Sequence, residues 1–79
     1  MGNDIYLVKD LSRLSGLSIH TVKYYLKLGL IKEIGRSPET NFRYFDNSTL
    51  GTLRKIIDYR KENISLSKIE DLLKEEKKI

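Results

Sequence analysis

Apolar residues recur at helical spacing in several segments of the chain. In residues 7–15, leucines are spaced by three or four positions with polar residues between them, which predicts an amphipathic helix. Gly16 follows, where a helix commonly ends in a left-handed residue. Ser18 is a good N-cap for a second helix over residues 19–28, and Gly29 ends that helix in the same way. Two short helices joined by a tight turn predict a helix-turn-helix.

Residues 31–45 have a different pattern, and we call them the wing. A cluster of turn-forming residues surrounds Pro38, and the aromatic stretch 42–45 after it favours a strand. The segment therefore predicts a small β-hairpin. Alternate residues of a strand face opposite sides, so Phe42 and Tyr44 are expected on one face and Arg43 and Phe45 on the other.

Two further helices are predicted after the wing. Asp46 is a suitable N-cap for the third, Asn63 can close it in a left-handed conformation, and Ser65 can cap the fourth. The apolar stripe of the fourth helix ends at Leu73, and five charged residues follow, so we expect residues 74–79 to fray. The inward-facing apolar residues of these two helices are expected to be Leu50, Leu53, Ile56, Ile57, Ile64, Leu66, Ile69, Leu72 and Leu73.

The predicted fold is mainly α, a winged helix-turn-helix followed by two helices. With 79 residues the chain has room for one domain, residues 1–79, with an ordered core over 5–73. It contains no cysteine and one histidine, which excludes disulfides and the usual zinc sites. It shows neither a membrane-spanning apolar segment nor the layout of a signal peptide, so the expected location is the cytoplasm, on the nucleoid.

The positive charge of the chain is concentrated in its middle third. Fifteen lysines and arginines against eleven acidic residues give a net charge of +4, and residues 18–45 supply three of these four charges. Within that segment His20, Lys23, Tyr24 and Lys27 follow i, i+3, i+4, i+7 spacing and share one face of the second helix, which carries no carboxylate. Such a face suits the major groove of DNA, although a solvated amphipathic face is the alternative.

His20 is the only histidine of the chain. It lacks partners for a metal site and for acid–base catalysis, so it is interpreted as a DNA contact or a bystander. No glycine-rich phosphate loop occurs, and we expect neither a cofactor nor an enzyme. In the wing, Arg36, Arg43 and Tyr44 are candidate DNA contacts, with the two arginines directed at the phosphate backbone. Alternatively they only keep the wing soluble while its aromatic residues plug the core, and Tyr44 is expected to pack inward with its hydroxyl exposed.

Several short motifs together resemble the N-terminal DNA-binding domain of MerR-family transcriptional regulators. The most specific are the Lys-Tyr-Tyr of the second helix and the Arg-Tyr-Phe that closes the wing. The resemblance covers residues 5–73 and implies a winged helix-turn-helix. It further implies that bases and phosphates are contacted by Ser18, His20, Thr21 and Lys23. The residues that contact or organise the DNA backbone would be Tyr24, Tyr25 and Lys27, and Arg43 would contact a phosphate from the wing.

The resemblance also implies partners. Family members bind near-palindromic promoters as dimers and distort the DNA for RNA polymerase. Leu26 stands where the family typically has an acidic residue, so one polar contact is expected to be missing. An excisionase-like architectural protein that assists a recombinase is the alternative function. Family dimers form through a long helix after the fourth, so we expect this chain alone to be a monomer that pairs only on DNA or through a further C-terminal helix.

Overall fold

In the computed structural model, which describes residues 4–76, four helices and a two-stranded hairpin occur in the predicted order. The mainly α, winged helix-turn-helix fold is therefore confirmed. The elements are α1 (Val8–Ser15), α2 (Ile19–Leu28), β1 (Gly35–Arg36), β2 (Arg43–Tyr44), α3 (Asn47–Lys61) and α4 (Leu66–Glu76).

The turn between α1 and α2 has the geometry that the sequence predicts. Gly16 ends α1 with a φ of 82°, and Gly29 ends α2 with the same φ, a left-handed conformation that glycine adopts without strain. The Ser12 hydroxyl donates a hydrogen bond to the carbonyl oxygen of Leu17 across this turn. These contacts fix the direction in which α2 leaves the turn.

The predicted caps of the last two helices are also confirmed. The Asp46 carboxylate accepts hydrogen bonds from the backbone N–H and the hydroxyl of Ser48 at the start of α3. These hydrogen bonds hold the pKa of Asp46 below its ordinary value. Asn63 has a φ of 63°, and the Ser65 hydroxyl oxygen accepts from the Lys68 N–H at 3.3 Å in the first turn of α4.

The core lies between the helix-turn-helix and α3, and the chain around the wing closes it. Phe45 is fully buried, whereas Phe42 is 59% exposed and Tyr44 is half-buried. Arg43 is exposed, although alternation predicts it on the same face as the buried Phe45; β2 ends at Tyr44, and Phe45 pairs with Tyr6 in an isolated bridge. The core residues are Leu11, Val22, Tyr25, Leu30, Ile31, Phe45, Leu50, Leu53, Ile56 and Ile69.

Some residues that share the apolar spacing lie outside this core. Leu14 is 38% exposed near the end of α1. Ile57 of α3 and Leu72 of α4 are only half-buried, while Leu66 and Leu73 pack against the core. The core is thinner than the sequence pattern suggests, as expected for a domain of this size.

The end of α4 is ordered beyond the apolar stripe. The helix continues through Glu76, although the charge run suggests fraying from residue 74. One carboxylate oxygen of Glu76 accepts from Lys55 Nζ at 2.5 Å, and the other accepts from the Tyr59 hydroxyl at 3.0 Å. A contact to α3 thus replaces the missing apolar one. Residues 77–79 lie outside the described residues.

Candidate nucleic-acid interface

Helix α2 begins with a side-chain cap that is built from two candidate contact residues. The Ser18 hydroxyl oxygen accepts from the Thr21 backbone N–H at 3.1 Å, and its hydrogen points to Thr21 Oγ1 at 3.0 Å. Ser18 therefore uses its single donor and one of its two acceptor sites inside the first turn. Its direct effect is to position α2, and the hydrogen of the Thr21 hydroxyl remains available to an outside acceptor.

The polar face of α2 is open to solvent along its whole length. His20, Lys23, Tyr24 and Lys27 are all exposed, as their spacing predicts. Val22, on the opposite side, is fully buried against the rest of the domain. The helix thus presents two ammonium groups, an imidazole and a phenol together, with no acidic group on the same helix.

The two adjacent tyrosines of α2 lie on different sides of the helix surface. Tyr24 is 48% exposed, whereas Tyr25 is 7% exposed and belongs to the core. Their ring centroids are 6.3 Å apart, with the ring planes tilted by 42°. Tyr24 is available for contact, while Tyr25 holds the helix against the core.

The wing places its two arginines on one face. Strands β1 and β2 pair antiparallel, with Arg36 directly opposite Arg43 and Gly35 opposite Tyr44. Directly opposed residues project on the same side of the ribbon. Tyr44 projects on the other side, where its ring lies against Gly35. It is half-buried, as expected from its inward packing.

Glu33 lies between the two arginines at the base of the wing. Its Oε2 accepts a hydrogen bond from Arg36 Nε at 2.8 Å, and its Oε1 forms an ion pair with Arg43 Nε at 3.1 Å. The hydrogen bond from Arg36 and the charges of both guanidinium groups hold the pKa of Glu33 below its ordinary value. The carboxylate is therefore ionised at neutral pH and bridges the two strands.

Two open clefts separate α2 from the wing. One, of about 380 Å³, is lined by Lys23, Leu26, Lys27, Glu33 and Arg43. The other, of about 440 Å³, is more apolar, and its lining residues are Leu7, Val8, Lys9, Lys23, Phe42 and Arg43. Because Lys23 and Arg43 line both clefts, the exposed face of α2 and the arginines of the wing form one continuous cationic surface.

The family of this chain follows from comparison with known proteins. The sequence model of the MerR HTH family of regulatory proteins matches residues 6–76, nearly the whole chain. The chain belongs to this family.

Relatives and solved structures of the MerR family agree with this assignment. The HTH-type transcriptional regulator CueR of Bacillus subtilis is 39% identical over 72 residues, which cover 91% of this chain and 49% of CueR. The chain thus spans about half the length of that relative.

Among solved structures, a MerR-family regulator from Bacillus cereus shares the fold, with a TM-score of 0.82 and 18% identity over 89% of this chain and 52% of that one. HiNmlR, described as a MerR family regulator lacking the sensor domain and bound to promoter DNA, has a TM-score of 0.78 and 25% identity, covering 87% of this chain and 52% of that one.

Three residues at the interface of this MerR-family domain were not predicted as site residues. Lys9 and Phe42 line the more apolar cleft, and Glu33 bridges the wing arginines. Lys9 lies on α1, which the sequence pattern marks only as a packing helix, and Phe42 fits equally well in a core. For Glu33 a signal was present, because it stands three residues before Arg36.

Other kinds of site find no support in residues 4–76. No group of three or more histidine, cysteine, aspartate or glutamate side chains is placed there to hold a metal ion. None of the helices in this part of the chain is long and apolar enough to cross a membrane.

Proposed function

We propose that this MerR-family domain binds duplex DNA sequence-specifically as part of a transcription regulator, with α2 in the major groove and the wing on the backbone. The observation that carries the proposal is the exposed, carboxylate-free face of α2, continuous with the arginines of the wing. A polyanion with a groove that admits a helix is the ligand complementary to such a surface.

The side chains of α2 divide between bases and backbone. His20, Thr21 and Lys23, near the start of the helix, can reach donors and acceptors on base edges. Lys27 and Tyr24 lie beside them and suit phosphate oxygens, which accept hydrogen bonds from ammonium and phenol groups alike. The first turn adds backbone N–H groups and the positive end of the helix dipole.

Residues of the wing and of the buried side of α2 support the DNA contacts made by the exposed face of α2. Arg36 and Arg43 bind phosphates from one face of the hairpin, whereas the hydroxyl of Tyr44 lies against Gly35 on the opposite face. Ser18 acts through the cap of α2 and Tyr25 through the core, so both position the helix rather than read the DNA. The fold is shared with HiNmlR, which is bound to promoter DNA in its structure.

We infer that the domain is a binding module rather than an enzyme and that its partner on promoter DNA is RNA polymerase. The family match and the regulator CueR support a role in transcription over one in recombination. Sensing of an effector is not assigned to any residue of this chain, which spans about half of CueR.

The proposed interface is tested with two double variants that each remove two positive charges, one pair from the interface and one from a different surface. Lys23→Ala with Lys27→Ala takes two lysines from the proposed interface, and Lys61→Ala with Lys68→Ala takes two exposed lysines from α3 and α4 outside both clefts. Fluorescence anisotropy on a duplex selected from a randomised library should show steep salt dependence for the unaltered chain. The first pair should reduce the slope of log K against log salt by about two.

The control pair should leave that slope within about half a unit of the unaltered chain, because lysines that do not approach phosphates release no counterions. Equal losses from the two pairs would mean that only net charge matters and would contradict the proposed interface. Binding that barely changes with salt would contradict the electrostatic argument as a whole.

A further inference from the structure

The register of the wing creates an electrostatic conflict. Arg36 and Arg43 are direct cross-strand partners on one face of a hairpin whose strands have two residues each. Like charges at directly opposed positions destabilise a β-pair. A ribbon this short has little pairing to offset the repulsion, so the two guanidinium groups need a counter-charge to stay side by side.

Glu33 supplies that counter-charge within the chain. Its two carboxylate oxygens are divided, one to Nε of Arg36 at 2.8 Å and one to Nε of Arg43 at 3.1 Å. The Glu33 side chain is 28% exposed, and each arginine side chain is 44% exposed. The Glu33 carboxylate is thus less accessible to solvent than either of the two guanidinium groups that it contacts.

The position of these contacts on the arginines matters for binding. The hydrogen bond at Nε fixes the plane of the Arg36 guanidinium group, and the ion pair keeps the Arg43 guanidinium beside it. Both contacts leave the terminal NH2 groups free to donate elsewhere. Those groups match phosphate oxygens in a bidentate geometry. A guanidinium that is already fixed in orientation loses less side-chain entropy when it binds.

We propose that Glu33 is a positioning residue for the DNA backbone: it holds Arg36 and Arg43 side by side so that both guanidinium groups meet phosphates in one fixed register. The inference rests on the proposed function, because it needs duplex DNA as the ligand. Glu33 itself does not bind phosphate. It acts only through the two arginines.

Glu33 also has an unfavourable effect on DNA binding. It lines the cleft that contains Lys23 and Lys27, so its negative charge faces the same polyanion as theirs. This charge weakens attraction to any duplex, whatever the sequence. Removal of Glu33 therefore has two opposite effects: general attraction rises, while the register of the wing arginines is lost.

Glu39 provides a matched control for the charge effect alone. It lies in the turn of the wing, exposed to solvent, and within residues 4–76 it makes no ion pair with either arginine. Glu33→Gln and Glu39→Gln each raise the net charge of the same hairpin by one. Only the first breaks the bridge between Arg36 and Arg43.

The experiment measures binding of the unaltered chain and both variants to two duplexes of equal length and composition. One duplex is selected by the unaltered chain from a randomised library, and the other has its sequence shuffled. Glu39→Gln should tighten both duplexes by the same factor, because it only removes a negative charge. Glu33→Gln should bind both duplexes about threefold or more weakly than Glu39→Gln, because the loss of the arginine register offsets the same gain in charge on any sequence.

A third variant separates positioning from simple stability. Glu33→Asp keeps the charge, but its side chain is one methylene shorter and can no longer span both arginines, so it should bind both duplexes more weakly than the unaltered chain. If Glu33→Gln tightens both duplexes as much as Glu39→Gln does, the positioning role is overturned while the proposed function stands. If the unaltered chain binds no duplex, the proposed function fails and the role of Glu33 fails with it.

Discussion

The ring of Tyr44 lies so close to Gly35 that a β-carbon on residue 35 would come within 2.6 Å of the ring carbon Cζ of Tyr44. The two residues are direct partners in the wing hairpin. Glycine at this position leaves the space that the half-buried ring of Tyr44 occupies on the opposite strand.

Gly35→Ala should therefore destabilise the domain, because the Tyr44 ring must turn away from its packed position. We expect a loss of about 1 kcal/mol in the free energy of unfolding, measured with urea. The loss is at the low end for overpacking because the clashing atoms are the far end of a side chain that can move. Gly51→Ala is the control, since Gly51 is an exposed residue inside α3 with nothing near its missing β-carbon. That variant should gain about 0.5–1 kcal/mol from helix propensity. Two changes of the same sign would contradict the packing account.

The role of Ser18 as a cap predicts a specific pattern of rescue. Ser18→Ala removes the acceptor for the Thr21 N–H and should cost about 0.5–2 kcal/mol in the free energy of unfolding. Ser18→Asn restores an acceptor at the cap and should recover most of that loss, together with DNA affinity. If affinity fails to recover although stability does, Ser18 contacts DNA directly.

Helix α2 and the wing should contribute differently to DNA recognition. His20→Ala is expected to relax base preference, because the imidazole lies near the exposed start of α2. Arg43→Ala is expected to weaken binding to all duplexes about equally, since phosphates carry no direct sequence information. Selection from a randomised duplex library by each variant gives the comparison. A changed consensus for Arg43→Ala, with an unchanged one for His20→Ala, would reverse the two assignments.

The contact between α3 and α4 should make stability depend on pH in the acid range. Hydrogen bonds from Lys55 and Tyr59 hold the pKa of Glu76 below its ordinary value of 4.5. A folded-state pKa below the unfolded value means that the ionised group stabilises the fold fully above about pH 5, and that this contribution is lost as pH falls through the lowered pKa. Glu76→Gln should thus lower stability at pH 7, and its effect should shrink as pH falls through the lowered pKa.

Glu75 offers the control for that measurement. It is the neighbouring exposed residue, carries the same charge near the same helix end, and makes no ion pair within the described part of the chain. Urea unfolding of Glu75→Gln should follow the pH profile of the unaltered chain. A flattened profile for Glu75→Gln would show that the charge at the helix end, rather than the contact to α3, causes the dependence.

Much of the local structure could be predicted from the sequence. The left-handed residues Gly16, Gly29 and Asn63 end helices where expected, and Ser18 and Asp46 begin them. The exposed face of α2 was likewise predictable, because helical spacing places residues three and four apart on one side. These features depend on hydrogen bonds and spacings within a few residues, so a short window of sequence contains the necessary information.

The tertiary structure decided what depends on residues far apart in the chain. Phe45 rather than Phe42 fills the core because Tyr6, near the start of the chain, pairs with it. Glu76 extends α4 because Lys55 and Tyr59 of α3 lie within reach. Alternation and charge patterns do not distinguish these residues from their neighbours, since several apolar or acidic residues nearby could occupy the same positions in the fold. Only the arrangement of the helices and the register of the wing determine which of them finds a partner.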